Sequence, residues 1–385
     1  MNDLSAKLKN LSPGQKQKLL SKLKDKGIKG VGESNQIKHE NINTFKKGEN
    51  FAYRLQFPPN FLKTEFIKKK ITEPEPDMVQ VEVKAASLNF RDLMIAMGMY
   101  PATPGIPSVM GSDCAGIVTK VGNNVEDFKV GDKVMVLSAG SLNPDYSIDA
   151  DSHFSKYLTI EKHQVFHMPQ NTSFIQAACI PTVFITSYYA LSTVGRLKKE
   201  DVVLIHSASG GVGLAAIELC KWKGCEIYAT AGNEAKREML RSMGIPLVMN
   251  SRDAGFAKEI EEYTNGRGVD VILNTLSGES MIAGLNSLNF FGRFLQIDKK
   301  DIAANNTINL GNFNKGLTFA AIDIGLLTRD YKTINALFLE LNKLFNEGKI
   351  MPIRSKVYPY RQLGEALNFM SRSEHIGKLV IDFEL

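Results

Sequence analysis

The residues with the clearest chemical role are three glycines that follow the apolar run 202–205 and precede the apolar, helix-favouring run 214–222. A strand, a glycine turn and a helix in that order present backbone N–H groups and a positive helix N-terminus to a phosphate. The spacing therefore predicts a nucleotide site, in which Gly210 permits close backbone approach and Gly213 permits close packing of the helix on the strand. The predicted loop residues are Ser209, Gly210, Gly211, Val212 and Gly213.

Around this loop, apolar strands alternate with helical stretches. Candidate strands at 226–230 and 269–274 follow the first strand. This alternation predicts a parallel, doubly wound sheet, which binds ligands at the carboxyl ends of its strands. Asn274 and Leu276 are therefore predicted to contact the nucleotide. For the loop taken alone, a glycine turn without nucleotide function is the alternative, because Ser-x-x-Gly-Gly-x-Gly departs from G-x-G-x-x-G.

The end of the second strand favours one nucleotide over another. An NAD site places an acidic side chain there for the ribose hydroxyls, whereas this chain has Thr230 and small residues. The cations Lys236, Arg237 and Arg252 follow. Small residues and cations suit a 2′-phosphate, so the predicted cofactor is NADPH, with Thr230, Lys236 and Arg252 among its ligands. An exposed helix face is the alternative for Lys236 and Arg237.

The net charge is confined to the start of the chain. The 385 residues carry a formal charge of +6, and residues 1–50 contain eleven lysines and five acidic residues, so the rest holds 36 of each sign. A neutral body without a binding motif argues against a nucleic-acid partner. Because the chain has neither a membrane-spanning apolar run nor a signal-peptide core, we expect a cytoplasmic protein with no membrane association. Its four cysteines are expected to be reduced.

Composition and element spacing predict three parts. The first is a short amphipathic, basic helix followed by a polar linker. Short strands separated by glycine and proline come next and predict a mainly antiparallel β domain, to which the last strand, 378–383, is expected to return. The expected boundaries are 1–50 for the basic helix and linker, 51–170 and 317–385 for the substrate domain, and 171–316 for the nucleotide-binding domain.

Five ordered stretches resemble a known family. They are LNFRDLMIAMGMYP at 88–101, MGSDCAG at 110–116, HSASGGVG at 206–213, GRGVDVILNTLSGE at 266–279 and HIGK at 375–378. They are similar to enoyl reductase domains of modular polyketide synthases, in the zinc-free branch of the medium-chain dehydrogenase/reductase superfamily. The resemblance implies an α/β fold: a Rossmann-type doubly wound nucleotide-binding domain plus a GroES-like, mainly antiparallel β substrate domain.

The resemblance also implies an activity and partners. The family reduces an enoyl thioester carried on an acyl carrier protein, with hydride from NADPH to Cβ and a proton to Cα. Neighbouring polyketide synthase domains are further expected partners, because residues 1–50 are similar to linkers in such synthases. No metal is expected: residues 111–113 are Gly-Ser-Asp where zinc-dependent relatives have Gly-His-Glu, and the ligand cysteine is replaced by the 89–92 run.

The catalytic candidates come from the same resemblance. Tyr100 aligns with the catalytic tyrosine of mitochondrial-type enoyl reductases and is one candidate proton donor, with an aromatic residue in a turn as the alternative. Lys299 aligns with the family's lysine and Asp323 with its acidic partner, so this pair is the second candidate. Asp298 departs from the family's glycine and Lys300 leaves the choice of lysine open. An exposed charged turn is the alternative.

Three more residues complete the predicted cofactor-binding set. Asn89 is predicted to bind a ribose hydroxyl through its amide. Thr186 is predicted to approach the nicotinamide, and a core hydroxyl bonded back to its own helix is the alternative. Lys378 is included because it ends the HIGK stretch.

Three other functions stay open. A stand-alone NADPH quinone or alkenal reductase has the same fold, but the basic helix and linker favour an assembly-line enzyme. Hydride addition to a halogenated enoyl thioester, followed by cyclopropane closure, is kept open by the unusual Asp298 motif. A nucleotide-binding module without turnover is the alternative from a different class.

Overall fold

Short strands fill the first part of the chain. The computed structural model describes residues 46, 48–54, 65–100, 109–138 and 152–385, so nearly all of the predicted basic helix and linker lies outside the described residues. The strands are β1 (Asn50–Tyr53), β2 (Phe66–Lys69), β3 (Met78–Leu88), β4 (Asp113–Val121), β5 (Lys133–Leu137), β6 (Tyr157–Glu161) and β7 (Val165–His167). β1 pairs with β2, whereas β3, β4, β5 and β7 form a larger antiparallel sheet with β6 also on β3.

Alternating side chains explain the larger sheet. In β3, Val81 and Val83 are fully buried, whereas Glu82 and Lys84 between and after them are partly exposed. This alternation is typical of an antiparallel strand with one face on a core. The valines belong to a core that β4 and β5 also line, which confirms the predicted antiparallel domain. Helix α1 (Phe90–Ala96) follows β3 directly.

Between the strands of the two sheets in the chain lies the apolar stretch 177–191, where the sequence predicts helical structure. The structure has α2 (Phe174–Ala178), α3 (Pro181–Tyr188) and a π-helical turn at Tyr189–Val194. Pro181 is the first residue of α3, where its missing N–H removes no helical bond and its fixed φ suits the helix.

The parallel sheet is formed by β8 (Val202–Ile205), β9 (Glu226–Ala231), β10 (Leu247–Asn250), β11 (Val269–Asn274), β12 (Leu288–Gln296) and β13 (Thr318–Ala321). Its order is β10-β9-β8-β11-β12-β13 with every pair parallel, which confirms the doubly wound fold. The apolar residues of β8 are buried on both faces, as a covered parallel sheet requires. The helices in this part are α4 (Gly211–Lys223), α5 (Glu234–Ser242), α6 (Phe256–Tyr263), α7 (Glu279–Asn286) and α8 (Lys300–Ala303).

β13 corrects one expected boundary. Its residues pair in parallel with β12, so the strand belongs to the nucleotide-binding sheet. The boundary expected between residues 316 and 317 instead assigns this strand to the substrate domain. The sequence Thr-Phe-Ala-Ala is too poor in β-branched residues to mark a strand, and pairing with β12 decides its conformation.

The last part of the chain returns to the first sheet. It contains α9 (Ile324–Leu327), α10 (Tyr331–Asn346), β14 (Ser355–Pro359), α11 (Leu363–Ser371) and β15 (Lys378–Asp382). β15 pairs antiparallel with β3 and parallel with β14. Just before β15, Gly377 forms a parallel bridge with Gly210, so this segment contacts both the first sheet and the glycine loop after β8. No helix within the described ranges is sufficiently long and apolar to cross a membrane.

Candidate active site

The glycine loop leaves the carboxyl end of β8 and opens α4. Gly210 is the extended residue before the helix, with φ −81° and ψ 176°, and a Cβ there would meet only Ser207 O, at 3.4 Å. A Cβ on Gly213 would lie 2.5 Å from Ala208 Cα. Gly213 therefore lets the helix pack on the loop, whereas Gly210 keeps the N-terminus of α4 accessible to a phosphate.

Two of the other loop residues are held by neighbouring segments. Ser209 O accepts a hydrogen bond from Gly377 N at 2.8 Å, and Val212 O accepts one from Ser187 Oγ at 3.0 Å. A Cβ on Gly211 would lie 2.9 Å from Val183 Cγ1 and 3.1 Å from Lys378 Cδ. The start of α4 is therefore packed between α3 and the residue that opens β15.

Thr230, in β9, supports the glycine loop through contacts with His206 and Ala208. Its Oγ1 lies 3.0 Å from His206 Nδ1, and its carbonyl accepts from Ala208 N at 2.9 Å. Thr230 is fully buried and supports the loop through these contacts. Its predicted contact with the nucleotide stays a prediction. His206 is buried against Phe256, with ring centroids 4.7 Å apart.

His206 gives the fold an acid-sensitive group. Burial lowers the pKa of His206 to about 3, while an unfolded chain binds this proton below a pH of about 6.5. Since the unfolded state then holds more protons, stability decreases as pH falls from about 6.5 towards 3. We expect His206→Asn to reduce the slope of unfolding free energy against pH by about 1 kcal/mol per pH unit between pH 6 and 5. Urea unfolding of both proteins at several pH values measures the slope, and equal slopes would contradict the assignment.

Basic side chains gather at the end of β9. The Arg252 guanidinium lies over Gly232, where a Cβ would be 2.8 Å from its Nε, and it has no hydrogen-bond partner among the described residues. Lys236 Nζ donates to Ser373 O at 2.7 Å, and burial and the nearby Arg252 lower the pKa of Lys236. Arg237 is instead held by Glu234, at 2.6 Å. Lys236 and Arg252 are therefore the cations placed to meet an anion here.

Asn274 is used inside the protein. Its Nδ2 donates to Leu276 O at 2.7 Å and to Gln296 Oε1 at 2.6 Å, and its Oδ1 accepts from Leu276 N at 3.3 Å. Both amide hydrogens thus have acceptors. Asn274 fixes the turn after β11 that contains Leu276. The predicted nucleotide contacts of Asn274 and Leu276 stay predictions.

Lys378 is buried beside the start of α4. Its Nζ lies 2.7 Å from Asn89 Oδ1, 3.0 Å from Leu88 O and 3.2 Å from Asp113 Oδ2. A lysine ammonium has three N–H donors, and these three acceptors use them all. The head group of Lys378 therefore binds Leu88, Asn89 and Asp113, while its aliphatic stem lies against the glycine loop at Gly211. Its contact with the cofactor stays a prediction.

Asn89 precedes α1, and its backbone contacts Asp92 in addition to the side-chain contact with Lys378. Its backbone N–H donates to Asp92 Oδ2 at 2.7 Å, while Asp92 Oδ1 accepts from Gly111 N at 2.7 Å. Burial raises the pKa of Asp92, and these two backbone donors act in the opposite direction. Asn89 is thus held on the main-chain side by Asp92 and on the side-chain side by Lys378.

Lys299 and Asp323 meet at the carboxyl edge of the parallel sheet. Lys299 follows β12, Asp323 follows β13, and their Nζ and Oδ2 atoms are 2.6 Å apart. The lysine side chain is 41% exposed, so the pair is open to a ligand. Lys300 is exposed, and Asp298 Oδ2 accepts from Lys300 N at 3.0 Å. The structure therefore selects Lys299 over Lys300 as the partner of Asp323.

Tyr100 and Thr186 are the two remaining candidates. Tyr100 is half-buried at the edge of the described range 65–100, and the Arg91 guanidinium lies 5.1 Å from its ring centroid. Arg91 also donates to Val109 O at 3.1 Å. Thr186 is buried on α3. The roles of both residues stay predictions.

Asp113 and Thr182 are absent from the predicted site, yet Asp113 contacts two of its members, Asn89 and Lys378. Asp113 Oδ1 accepts from Thr182 Oγ1 at 2.6 Å and from Thr182 N at 3.1 Å. The sequence signal for Asp113 is its position within the MGSDCAG stretch, where zinc-dependent relatives have Gly-His-Glu. Thr182 carries no comparable sequence signal.

The residues present fit a dinucleotide phosphate. The open space before α4 at Gly210 suits a pyrophosphate, and the guanidinium of Arg252 supplies an anion ligand at the end of β9. Within the described ranges, no three His, Cys, Asp or Glu residues are grouped so as to hold a metal ion.

Comparisons with known proteins agree with this architecture. The family model described as "Alcohol dehydrogenase GroES-like domain" matches residues 75–170, and the one described as "Zinc-binding dehydrogenase" matches residues 211–340. The phthioceranic/hydroxyphthioceranic acid synthase of Mycobacterium tuberculosis is 39% identical over 309 residues, which are 80% of this chain and 14% of that protein. The chain thus spans about one seventh of the length of this curated relative.

Two solved structures match nearly end to end. The CurK enoyl reductase is 32% identical with a TM-score of 0.75, over 86% of this chain and 99% of that one. The "CurF ER cyclopropanase from curacin A biosynthetic pathway" is 29% identical with a TM-score of 0.77, again over 86% and 99%.

The fold and its glycine loop define an oxidoreductase of the medium-chain dehydrogenase/reductase type. Within that superfamily, the chain belongs to the polyketide enoyl reductase family.

Proposed function

We propose that this protein reduces an enoyl thioester carried on an acyl carrier protein, with NADPH as hydride donor. The observation that carries the proposal is that two features lie at the carboxyl edge of one sheet. They are the glycine loop after β8 and the Lys299–Asp323 pair after β12 and β13. Doubly wound sheets bind ligands at this edge. One edge therefore offers both a nucleotide site and a cation able to carry a proton.

NADPH supplies a hydride when bound, and the remaining tasks fall to the protein. The backbone N–H groups at the start of α4 bind the pyrophosphate. The Lys299 ammonium, held by Asp323, stabilises the negative charge that develops on the thioester oxygen and transfers a proton to Cα directly or through water. Tyr100 is the second candidate donor for that proton.

The preference for NADPH is proposed from the end of β9. The Arg252 guanidinium has no hydrogen-bond partner among the described residues. Burial lowers the pKa of Lys236, and Lys236 lies close enough to Arg252 for the arginine charge to lower that pKa further. Two cations near Gly232 can bind the 2′-phosphate of NADPH. NADH has no phosphate at this position, so the cations gain no equivalent contact with it.

Arg252→Ala is therefore expected to raise the Kd for NADPH about tenfold, the loss of one charge-assisted hydrogen bond. The Kd for NADH is expected to change less than about threefold, because NADH lacks the phosphate. Fluorescence titration of both reduced cofactors measures this. Lys258→Ala, which removes an exposed cation on α6, is the matched control and should alter neither value. An equal loss for both cofactors would contradict the 2′-phosphate assignment.

The carrier-bound substrate and neighbouring synthase domains are proposed from the relatives. The mycobacterial match is a long synthase in which this chain corresponds to one segment. A segment of such a protein is expected to act on acyl groups presented by a carrier rather than on free molecules.

Cyclopropane formation is the second candidate, favoured by the match to the CurF cyclopropanase. In that reaction, hydride adds to Cβ of a halogenated enoyl thioester, and the resulting enolate displaces the halide within the same molecule. No proton has to be delivered to Cα, so Tyr100 and Lys299 are less critical for it.

The test is NADPH oxidation with crotonyl- and 2-methylcrotonyl-pantetheine, a halogenated enoyl thioester and a simple quinone, each with the product mass recorded. We expect the saturated thioester as the main product. A cyclopropane from the halogenated substrate would establish the second candidate. Turnover of the quinone alone would overturn the assembly-line assignment.

A further inference from the structure

The Asp113 carboxylate is the centre of the buried network beside the nucleotide loop. It is 1% exposed and receives hydrogen bonds from four residues. Oδ1 accepts from Thr182 N and Oγ1, at 3.1 and 2.6 Å. Oδ2 accepts from Asn89 Nδ2 at 2.9 Å, Lys378 Nζ at 3.2 Å and Ser87 Oγ at 3.4 Å. The carboxylate thus joins β3, β4, β15 and α3.

Only a carboxylate suits this position. Each described residue that hydrogen-bonds to the Asp113 side chain does so as a donor, and an ionised carboxylate accepts on both oxygens. An amide of the same shape has one acceptor and one donor, so it must turn its NH₂ either towards the Thr182 donors or towards Asn89 and Lys378. The charge is matched as well, because the buried Lys378 has Asp113 as its counterion.

The network leaves the Asn89 amide a single orientation. Nδ2 donates to Asp113, and Oδ1 accepts from Lys378 at 2.7 Å. A flipped amide would place NH₂ against the ammonium and the carbonyl against the carboxylate. One Nδ2 hydrogen stays without an acceptor among the described residues, next to a lysine whose stem lies against the Gly211 position.

We propose that Asp113 is a positioning residue for cofactor binding. It holds Asn89 in the orientation that makes the second Nδ2 hydrogen available to the nucleotide, and it balances the charge of Lys378. This inference rests on the proposed use of NADPH and on the predicted role of Asn89 as a ligand of that cofactor.

A double-mutant cycle on NADPH affinity tests the proposal. Asn89→Ala is expected to raise the Kd for NADPH about fivefold, the loss of one hydrogen bond. Asp113→Asn is expected to raise it by a similar factor. If Asp113 acts through Asn89, the double variant will also be about fivefold weaker, whereas independent roles will multiply to about 25-fold. A multiplicative result would overturn the proposal.

A second variant separates positioning from folding, because Asp113→Asn leaves a buried ammonium without its counterion and lowers stability. In Asp113→Asn/Lys378→Met, both charges are removed, so the thermal midpoint is expected to recover much of the loss. The affinity for NADPH is expected to stay about fivefold weaker, since Lys378 no longer binds the Asn89 carbonyl and an amide at position 113 does not fix the orientation of Asn89. Recovery of affinity together with the midpoint would show a merely structural role and overturn the proposal.

The binding readout keeps this test apart from the substrate assignment. Wild-type protein that binds NADPH but reduces no thioester would overturn the proposed substrate and leave the cycle interpretable. Wild-type protein that does not bind NADPH would overturn both the cofactor assignment and the role of Asp113.

Discussion

Replacing Lys299 with alanine is expected to lower kcat for an enoyl thioester about 100-fold, within the range for loss of a positioned proton donor. The ammonium acts as charge develops on the substrate, so the KM for NADPH is expected to stay within about threefold. Unfolding should change little, since an ion pair 41% exposed on the lysine side contributes at most about 1 kcal/mol. Steady-state kinetics and thermal unfolding measure both quantities.

The chain supplies a matched control for this experiment. Lys300 is the next residue, is exposed and makes no ion pair with Asp323. Lys300→Ala is therefore expected to keep wild-type turnover. Loss of activity in both variants would show that the total positive charge of this turn matters, rather than Lys299 in particular. Full activity in Lys299→Ala would contradict its role and leave Tyr100 or solvent as the proton source.

Gly213→Ala is expected to lower the free energy of unfolding by about 3 kcal/mol. The new Cβ would lie 2.5 Å from Ala208 Cα and 2.6 Å from Ala208 O. These are backbone atoms, so no side-chain rotation relieves the clash, and α4 has to move away from the loop. Because the N-terminus of α4 moves too, NADPH affinity is expected to fall more than tenfold. Urea unfolding and fluorescence titration give the two values.

Gly210→Ala separates packing from binding in the same loop. Its nearest contact would be Ser207 O at 3.4 Å, and the backbone φ of −81° suits alanine. Stability is expected to stay within about 0.5 kcal/mol of wild type, while the methyl group stands where the pyrophosphate approaches and weakens NADPH binding. A Gly213→Ala protein as stable as the Gly210→Ala protein would contradict this account of the loop.

Much of the parallel sheet was predictable because its signals are local. Runs such as 202–205 and 269–274 are apolar and continuous, as strands covered on both faces must be. The glycine spacing that follows the first run is equally local. β13 lacked such a signal, because its conformation depends on β12 rather than on its own side chains.

The candidate site was predictable only where each residue could be considered by itself. The link between Lys378 and Asp113 spans 265 positions, and no periodicity or spacing reports a contact of that range. The same limit applies to the contacts of Lys378 and Thr230. The polar atoms of these side chains contact Asn89 and His206, respectively, and neither contact has a signal in the local sequence.

The return of β15 to β3 sets the order in which the protein is completed during synthesis. The parallel sheet comes from the continuous segment 202–321, so it can form from neighbouring strands as they leave the ribosome. The end of β3 near Leu88 instead waits for Lys378, 290 residues later. At a translation rate of about 5–20 residues per second, that wait is roughly 15–60 s. During this interval part of β3 is an unpaired strand edge open to wrong pairing, and Asn89 has no lysine to orient it.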